Sequence, residues 1–317
     1  MSITPPSSAE LNRVTGAFVT ERCILRISDL SVVERVTFTK RPHAPPRAAI
    51  LKTVLPALRH EPLVHRLASP FPICAAHVMA SSDPNTLEAD PWMLIEEVED
   101  QIGGGTFTTQ QVTQALVEIA RLHRYYILES SALNDDAIPR CDRAWLESLA
   151  ERIPASFQIL NQQYGLDISQ EIQRRFHDHL VDLAGKLDGY ALTLVHGDFD
   201  KGNLVLLNGG QVAALDWGLA HVNIPLVDLT HMVGSFDAAT KLSVSSTYLD
   251  ALDLPDQFPA RSEESVLQFV ALGDLVHKTF FIWWHSTIVV NGWVKPGRYL
   301  NAIQERVLSI ASNNSRD

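Results

Sequence analysis

The sequence predicts an α+β fold in which a small, antiparallel β-rich lobe precedes a larger, mainly helical lobe. Short runs with alternating apolar and polar residues, typical of strands, occupy much of the first hundred positions. Farther along the chain, apolar residues recur at the three- and four-residue spacing of amphipathic helices. A chain of 317 residues also exceeds the usual size of a single core, which favours two lobes.

The predicted division has three parts. The Pro- and Ser-rich start, residues 1–13, is expected to be a flexible arm. Residues 14–100 form the β-rich N-lobe, and residues 101–317 form the helical C-lobe. Between the lobes, the glycine-rich segment "DQIGGGTF" is expected to supply a flexible connection.

Four strands are predicted in the N-lobe. The runs "RCILRIS" and "ERVTFTKR" alternate with period two and indicate an antiparallel pair. "PICAAHVMA" and "PWMLIEEVE" flank a polar turn and indicate a second pair. The segment between the pairs, "RAAILKTVLPALRHEPLVHRLAS", has apolar residues at helical spacing and is predicted to be helical, with interruptions at Pro56 and Pro62.

In the C-lobe, helical patterns predominate. The first, "TTQQVTQALVEIARLHRYYILES", begins with residues that can cap a helix, Thr108 and Thr109. The others are "CDRAWLESLAERIPASFQILNQQYG", "SQEIQRRFHDHLVDLAGKL", "PLVDLTHMVGSF" and "SEESVLQFVALGDLVHKTFFIWWHSTIVV".

The composition of the chain argues against some classes of partner. A net charge of -11 with a sequence pI near 5.5 argues against nucleic-acid binding, which requires a basic surface. The three cysteines are widely separated, as expected for free thiols. The start lacks the pattern of a secretory signal, and the longest apolar tract, "FFIWWHSTIVV", is too short to span a bilayer. We therefore expect a soluble cytoplasmic protein with neither nucleic acid nor membrane as a partner.

One stretch, "LVHGDFDKGNLVLLNGGQVAALDWG", places polar residues beside runs that resemble buried strands. The turn "NGG" between "LVLL" and "QVAAL" predicts a hairpin. A hairpin brings the residues before its first strand close to those after its second strand. Asp198, Asn203 and Asp216 are therefore expected to converge, and their oxygen atoms suit Mg²⁺, a hard cation usually bound together with substrate phosphates.

The pattern H-G-D-x-x-x-x-N, followed by D-W after a hairpin, resembles the aminoglycoside phosphotransferase and choline kinase family of small-molecule kinases. The resemblance implies a two-lobed protein-kinase-like fold, an ATP- and Mg²⁺-dependent reaction and a hydroxyl-bearing small-molecule acceptor. It assigns Asp198 as the catalytic base and Asn203 and Asp216 as metal ligands. Lys201, inside the loop, is expected to neutralise the transferring phosphate, and His196 to support the loop.

The resemblance extends to the N-lobe. "VTFTKRPHAPP" is similar to the family's third strand, which assigns Lys40 to the nucleotide α- and β-phosphates, with Lys52 as the rival. "LRHEPLVHRLAS" is similar to the helix whose glutamate pairs that lysine, which assigns Glu61. Backbone groups around Glu96 and Val98 are expected to meet the adenine.

The chain departs from the family pattern at two points. "RISDLSVVER", which is similar to the family's nucleotide-covering hairpin, contains no glycine, so cover of the phosphates is expected from Ser28, Ser31 or nearby backbone. Gly218 follows "DW" where an acid is frequent in the family.

Downstream, Asp228 in "NIPLVDLTHMV" is expected to brace the catalytic loop, and His123 to be a core histidine. Five residues of the last predicted helix share a face, a pattern found more often in a core than in a pocket. Because the last helices of the resembled family line the acceptor cleft, the resemblance implies that these residues contact the acceptor. These are Asp274, Lys278, Phe281, Trp284 and His285.

The function predicted from the sequence is transfer of the ATP γ-phosphate to a hydroxyl of a small molecule, either a metabolite or an antibiotic. The alternative is a catalytically silent binding module of the same fold, a pseudokinase, which the missing glycine loop favours. A third reading is nucleotidyl transfer, which would release pyrophosphate instead of ADP. The sequence indicates neither the acceptor, nor a preference for ATP over GTP, nor the oligomeric state.

Overall fold

The computed structural model describes residues 3–41, 45–83, 90–98, 106–254, 256–257 and 262–313. Contacts divide the chain into two compact units. The first consists of Met1–Leu122, Asp135–Ile138 and Asp198–Ala220. The second consists of His123–Asn134, Pro139–Gly197 and His221–Asp317. The predicted lobe boundary at residues 100 and 101 lies outside the described residues and stays a prediction.

A five-stranded antiparallel sheet forms the centre of the first unit. In chain order its strands are β1 (Phe18–Ile27), β2 (Ser31–Thr39), β3 (Arg47–Val54), β4 (Val78–Ser81) and β5 (Trp92–Glu96). Their order across the sheet is β1-β2-β3-β5-β4. Both predicted strand pairs are confirmed. The prediction for residues 47–54 is wrong, because this segment is the central strand and not a helix.

The burial of β3 explains that error. A strand with one face in solvent alternates apolar and polar residues, but β3 is buried on both faces over its second half, residues 51–54. Ala49 and Leu51 belong to an apolar core on one face of the sheet, whereas Ile50 packs against a second apolar cluster. With alternation lost, the run resembles a helix in its apolar spacing.

The start of the chain also differs from the prediction. Within the expected flexible arm, residues from Ser8 onward form helix α1 (Ser8–Thr15). Ser7 caps this helix by accepting a hydrogen bond from the Glu10 N–H, and Leu11 is fully buried in the core of the sheet. The burial of Leu11 holds the segment in place.

The remaining elements of the first unit are α2 (Glu61–Ala68) and the hairpin of β7 (Leu204–Leu206) and β8 (Val212–Ala214). The hairpin was predicted from the "NGG" turn and is confirmed, with Leu204 opposite Ala214. Helix α3 (Thr109–Leu128) begins in the first unit, and its last residues belong to the second.

The second unit is mainly helical. It contains α4 (Arg143–Tyr164), α5 (Gln170–Lys186), α6 (Leu226–Val233), α7 (Ala238–Leu252), α8 (Glu263–Val290) and α9 (Gly297–Asn313), together with the short pair β6 (Thr193–Val195) and β9 (His221–Asn223). Side chains of Asp142, Ser169, Asp237 and Ser262 cap four of these helices, as expected of short polar residues at this position. The predicted fold class, with an antiparallel sheet in the N-terminal region and a helical C-terminal part, is confirmed.

Helix α8 is long and apolar enough to cross a membrane by length and composition alone, but half of its most apolar window is buried in the fold. It contacts α4, α6, α7 and α9, all within the second unit. Long core helices satisfy the same criteria, so this helix is weak support for a membrane span.

Replacing Gly273 with alanine is expected to destabilise the second unit. A Cβ at this position of α8 would lie 2.5 Å from the Leu226 carbonyl oxygen and 2.5 Å from Thr230 Oγ1 on α6. Because the carbonyl is backbone, the helices must move apart. Overpacking of this kind costs about 1–3 kcal/mol, and we expect calorimetry to show a melting temperature lower by about 3–10 °C.

The matched control is Gly185→Ala in α5. A Cβ there meets nothing within 4 Å, so alanine is expected to raise stability by about 0.4–1 kcal/mol. An unchanged melting temperature in the Gly273→Ala variant would contradict the close helix contact.

Candidate active site

A buried lysine forms the centre of the site in the first unit. Lys52 Nζ lies 2.6 Å from Glu61 Oε1 and 2.6 Å from Asp216 Oδ1. Lys52 is 9% exposed and Glu61 is fully buried, whereas the Asp216 side chain is about half exposed. One cation is therefore held between two carboxylates, one closed off from solvent and the other open to it.

The predicted pairing of Lys40 with Glu61 is wrong. Lys40 follows the end of β2 and is exposed, and the partner of Glu61 is Lys52 on β3. Lys52 stands opposite Val33 and Met93 in the register of the sheet. From this position on the central strand, the Lys52 side chain reaches Glu61 at the start of α2.

Glu61 is the first residue of α2, and Pro62 follows it in the first turn. Proline is tolerated there, since the first-turn N–H groups have no partner within the helix. Burial raises the pKa of the Glu61 carboxyl to about 7, although the Lys52 charge lowers it in part. Burial alone would lower the pKa of Lys52, but the charges of Glu61 and Asp216 outweigh it and raise that pKa.

Asp216 follows β8 and adopts the left-handed backbone conformation, with φ of 61° and ψ of 66°. This conformation is unfavourable for residues with a Cβ, and aspartate tolerates it better than most. The lack of a side chain at Gly218 leaves room for the carboxylates of Glu61 and Asp216. A Cβ at Gly218 would lie 3.2 Å from Glu61 Oε2 and 3.3 Å from Asp216 Oδ1, so a side chain there would crowd both carboxylates.

Asp198 and Asn203 are brought together as predicted. The amide nitrogen of Asn203 donates to the Asp198 carbonyl oxygen at 2.8 Å and to Asp198 Oδ2 at 3.1 Å. The hairpin links this pair to the other end of the motif, because the Leu215 N–H donates to the Asn203 carbonyl oxygen at 2.8 Å. Asp216 is the next residue in the chain.

The loop between Asp198 and Asn203 is held by Asp200. Its Oδ1 accepts hydrogen bonds from the N–H groups of Gly202 and Asn203, at 2.8 and 3.1 Å. Asp200 is therefore the cap of a short 3₁₀ turn spanning Lys201–Asn203. Lys201 lies in this turn and is half-buried.

A cavity of about 130 Å³ lies among these groups, lined entirely by residues of the first unit. Lys52, Asp198 and Asp216 line it, and so do Arg26, Ser28 and Ser31 from the β1–β2 hairpin. Sequence reasoning did not identify Arg26.

Farther along the same face of the sheet lies an apolar cluster. Met93 stands opposite Lys52, and Ile95 stands opposite Ile50. Buried Ala76, Met93 and Ile95 form the cluster, with Ile50, Val78 and Val98 packed against it. Glu96, the last residue of β5, donates its N–H to the His77 carbonyl oxygen at 3.1 Å. The predicted adenine residues Glu96 and Val98 thus lie at the end of β5, beside an apolar patch.

In the second unit, Asp228 binds the backbone of His196 and Gly197, the two residues that precede Asp198 in the chain. Its carboxylate accepts hydrogen bonds from the N–H groups of His196 and Gly197, at 2.7 and 2.9 Å. His123 Nε2 lies 3.1 Å from Asp228 Oδ2, and His123 Nδ1 lies 2.7 Å from the Tyr248 hydroxyl. These groups are all buried. Asp228 has the bracing contacts predicted for it, and His123 is a core histidine.

Two of the expected acceptor residues on α8 contact each other: Lys278 Nζ lies 2.6 Å from Asp274 Oδ2. Phe281 and Trp284 are buried, and His285 lies against Phe281 and Tyr299 in ring contacts. The face is therefore largely packed within the second unit.

Comparison with known proteins gives a family match over most of the chain. Residues 3–263 match the model of the phosphotransferase enzyme family. No curated protein matches the chain.

Solved structures share the fold at low identity. Macrolide 2′-phosphotransferase MphH from Brachybacterium faecium is 14% identical over 94% of this chain and 96% of its own, with a TM-score of 0.60. Choline kinase from Cryptosporidium parvum is 11% identical over 94% and 89%, with a TM-score of 0.59. Spectinomycin phosphotransferase APH(9)-Ia, solved with ADP and spectinomycin, is 12% identical over 98% and 99%, with a TM-score of 0.55. With the family model spanning most of its length, the chain belongs to the phosphotransferase enzyme family.

Proposed function

We propose that this protein transfers the γ-phosphate of ATP to a hydroxyl group of a small molecule. The observation that carries the proposal is the convergence, within one compact unit, of Asp198, Asn203 and Asp216 with the Lys52–Glu61 pair. Phosphoryl transfer needs little covalent chemistry from the protein. It needs groups that position the reactants and offset negative charge.

Asp198 is the proposed catalytic base. Its carboxylate is half-buried and fixed by the Asn203 amide. In the proposed step the acceptor hydroxyl gives its proton to Asp198 as its oxygen bonds to the γ-phosphorus, and the bond from that phosphorus to the ADP oxygen breaks. A general base of this kind accelerates a reaction by about 100- to 10 000-fold.

The residues fit Mg²⁺. The Asn203 amide nitrogen faces Asp198, so its oxygen faces away and is available as a ligand. Asp216 presents a carboxylate, about half exposed, as the second ligand. Asn203 and Asp216 would hold the ion, which when bound would offset charge on the β- and γ-phosphates.

For the nucleotide, Lys52 takes the role first assigned to Lys40, contact with the α- and β-phosphates. The apolar cluster beside Glu96 and Val98 is the proposed adenine site. The ADP in the spectinomycin phosphotransferase of the same fold supports nucleotide use. Lys201 is the proposed partner of the γ-phosphate. The relatives' substrates support a small hydroxyl-bearing acceptor here.

The test is a screen of ATP consumption over a panel of hydroxyl-bearing metabolites and antibiotics, read out by ADP release and product mass. We expect one acceptor class to gain a phosphate. Thermal-shift titration with ATP and Mg²⁺ accompanies it, because a ligand of the folded state raises the melting temperature. Pyrophosphate release would instead indicate nucleotidyl transfer. A melting temperature unmoved at millimolar nucleotide would favour a silent module.

A further inference from the structure

In the turn between β1 and β2, three of the four backbone N–H groups of residues 28–31 are bonded within the turn. Ser28 Oγ accepts hydrogen bonds from the N–H groups of Leu30 and Ser31, at 3.3 and 3.0 Å. The Ser28 N–H in turn donates to the Ser31 carbonyl oxygen at 2.9 Å. A phosphate-covering loop works by presenting free N–H groups to the ligand. Here Ser28 occupies those of Leu30 and Ser31, which leaves fewer amides in the turn to bind the phosphates.

Arg26 lies two residues before this turn and on the cavity face of the sheet. It stands opposite Val33 on β2, and Val33 stands opposite Lys52 on β3. Directly opposed residues of a sheet share a face, and two strand spacings separate the backbones of Arg26 and Lys52 by about 10 Å. Both side chains line the same cavity. Arg26 and Lys52 thus flank it from two strands.

Lys52 and Arg26 differ in whether carboxylates of the protein already neutralise their charge. Lys52 is bonded to two carboxylates. Arg26 is exposed, and within the described part of the chain its guanidinium makes neither an ion pair nor a hydrogen bond. The other two arginines of β1 and β2, Arg22 and Arg35, are each paired with a glutamate. Arg26 is therefore the arginine of this hairpin with its full donor set available.

We propose that Arg26 binds the phosphates of the nucleotide from β1, in place of the backbone amides that a glycine-containing turn would supply. A guanidinium suits this role because its planar donors match phosphate oxygens in pairs. The proposal rests on the proposed use of ATP, and it explains how the chain covers phosphates with the turn "SDLS".

The experiment compares nucleotide binding by the full-length protein and three variants, in titrations with ATP, ADP and adenosine at fixed Mg²⁺. Arg26→Gln removes the charge. Arg26→Lys keeps the charge but lacks the paired, planar donors of the guanidinium. Lys40→Gln is the matched control, since it removes an exposed cation beyond the other end of β2, outside the cavity. The melting temperature of each variant without ligand checks that folding is unchanged.

We expect Arg26→Gln to weaken ATP and ADP binding by about 10- to 100-fold, as for loss of a hydrogen bond between charged groups. Its affinity for adenosine should stay unchanged. The ATP affinity of Arg26→Lys should lie between those of Arg26→Gln and the wild type. Lys40→Gln should bind ATP as tightly as the wild type. Equal ATP affinity in Arg26→Gln and wild type would overturn the assignment, as would an equal loss for adenosine. Failure of the wild type itself to bind ATP would overturn the proposed function, a result distinct from either.

Discussion

Replacing Asp198 with asparagine is expected to lower the rate of phosphate transfer by about 100- to 10 000-fold, with ATP affinity and melting temperature nearly unchanged. Asparagine keeps the shape and an oxygen that the Asn203 amide can reach at the present 3.1 Å. It cannot take a proton from the acceptor. The measurement is steady-state turnover with the acceptor found by screening, alongside ATP binding.

Asp200→Asn is the matched control, two residues away in the same loop. Asp200 serves as a cap for the N–H groups of Gly202 and Asn203, and asparagine caps about as well. We expect nearly normal turnover from this variant. If Asp198→Asn turned over at the wild-type rate, or if both variants lost activity equally, the assignment of Asp198 as the base would fail.

Replacing Lys52 with methionine is expected to reduce the free energy of unfolding by about 3–5 kcal/mol, because Glu61 is left buried without its cation. Denaturant unfolding measures the loss. In the double variant Lys52→Met/Glu61→Met, where an apolar pair replaces the ion pair, most of the stability should return. Phosphate transfer should be lost in both, since neither keeps the Lys52 ammonium that is proposed to contact the α- and β-phosphates.

The stability deficit of Lys52→Met should depend on pH. Burial already raises the Glu61 pKa to about 7, and loss of the Lys52 charge removes an influence that lowers it. A carboxyl whose pKa is raised by folding stabilises the fold below its unfolded pKa of about 4.5 and loses that contribution as pH rises through the folded value. The deficit should therefore shrink between pH 8 and pH 5.

Lys40→Met is the control for the stability measurement, because an exposed residue outside such contacts changes stability by about 0.5 kcal/mol or less. A Lys52→Met variant as stable as Lys40→Met at pH 8 would contradict the buried ion pair.

The local motif could be predicted from the sequence because its geometry depends on a short hairpin. The turn "NGG" fixes the strands that bring Asn203 and Asp216 together, and the hairpin is present as predicted. Asp200 could not be assigned, although an aspartate two residues before glycine is typical of a capped turn. Its contacts with two backbone N–H groups became evident only in the structure.

Lys52 was assigned second to Lys40 because a central strand hides its own periodicity. Covered on both faces, β3 lacks the alternation that identified β1 and β2. Lys40, at the end of an alternating run, was then the more visible lysine. The sequence did contain one indication of this pair, the spacing between the two residues. Lys52 lies only nine residues before Glu61, so a strand that carries the lysine and the next helix can bring the two side chains into contact.

Arg26 was missed for a different reason. Because the β1–β2 hairpin lacks glycine, the sequence predicts that Ser28, Ser31 or nearby backbone covers the phosphates, but in the structure these groups are bonded to one another. Which face of β1 carries Arg26 depends on the register with β2, and an irregularity between Ile24 and Arg26 shifts that register. Simple alternation along β1 therefore does not predict it.

The most direct test of the proposed phosphoryl transfer is ³¹P NMR of the reaction products of the wild-type protein with ATP, Mg²⁺ and the acceptor from the screen. The proposed mechanism predicts ADP and a new phosphate ester on the acceptor, and both should form about 100- to 10 000-fold more slowly with Asp198→Asn. Pyrophosphate together with a nucleotidylated acceptor, or an ester formed equally well by Asp198→Asn, would contradict it.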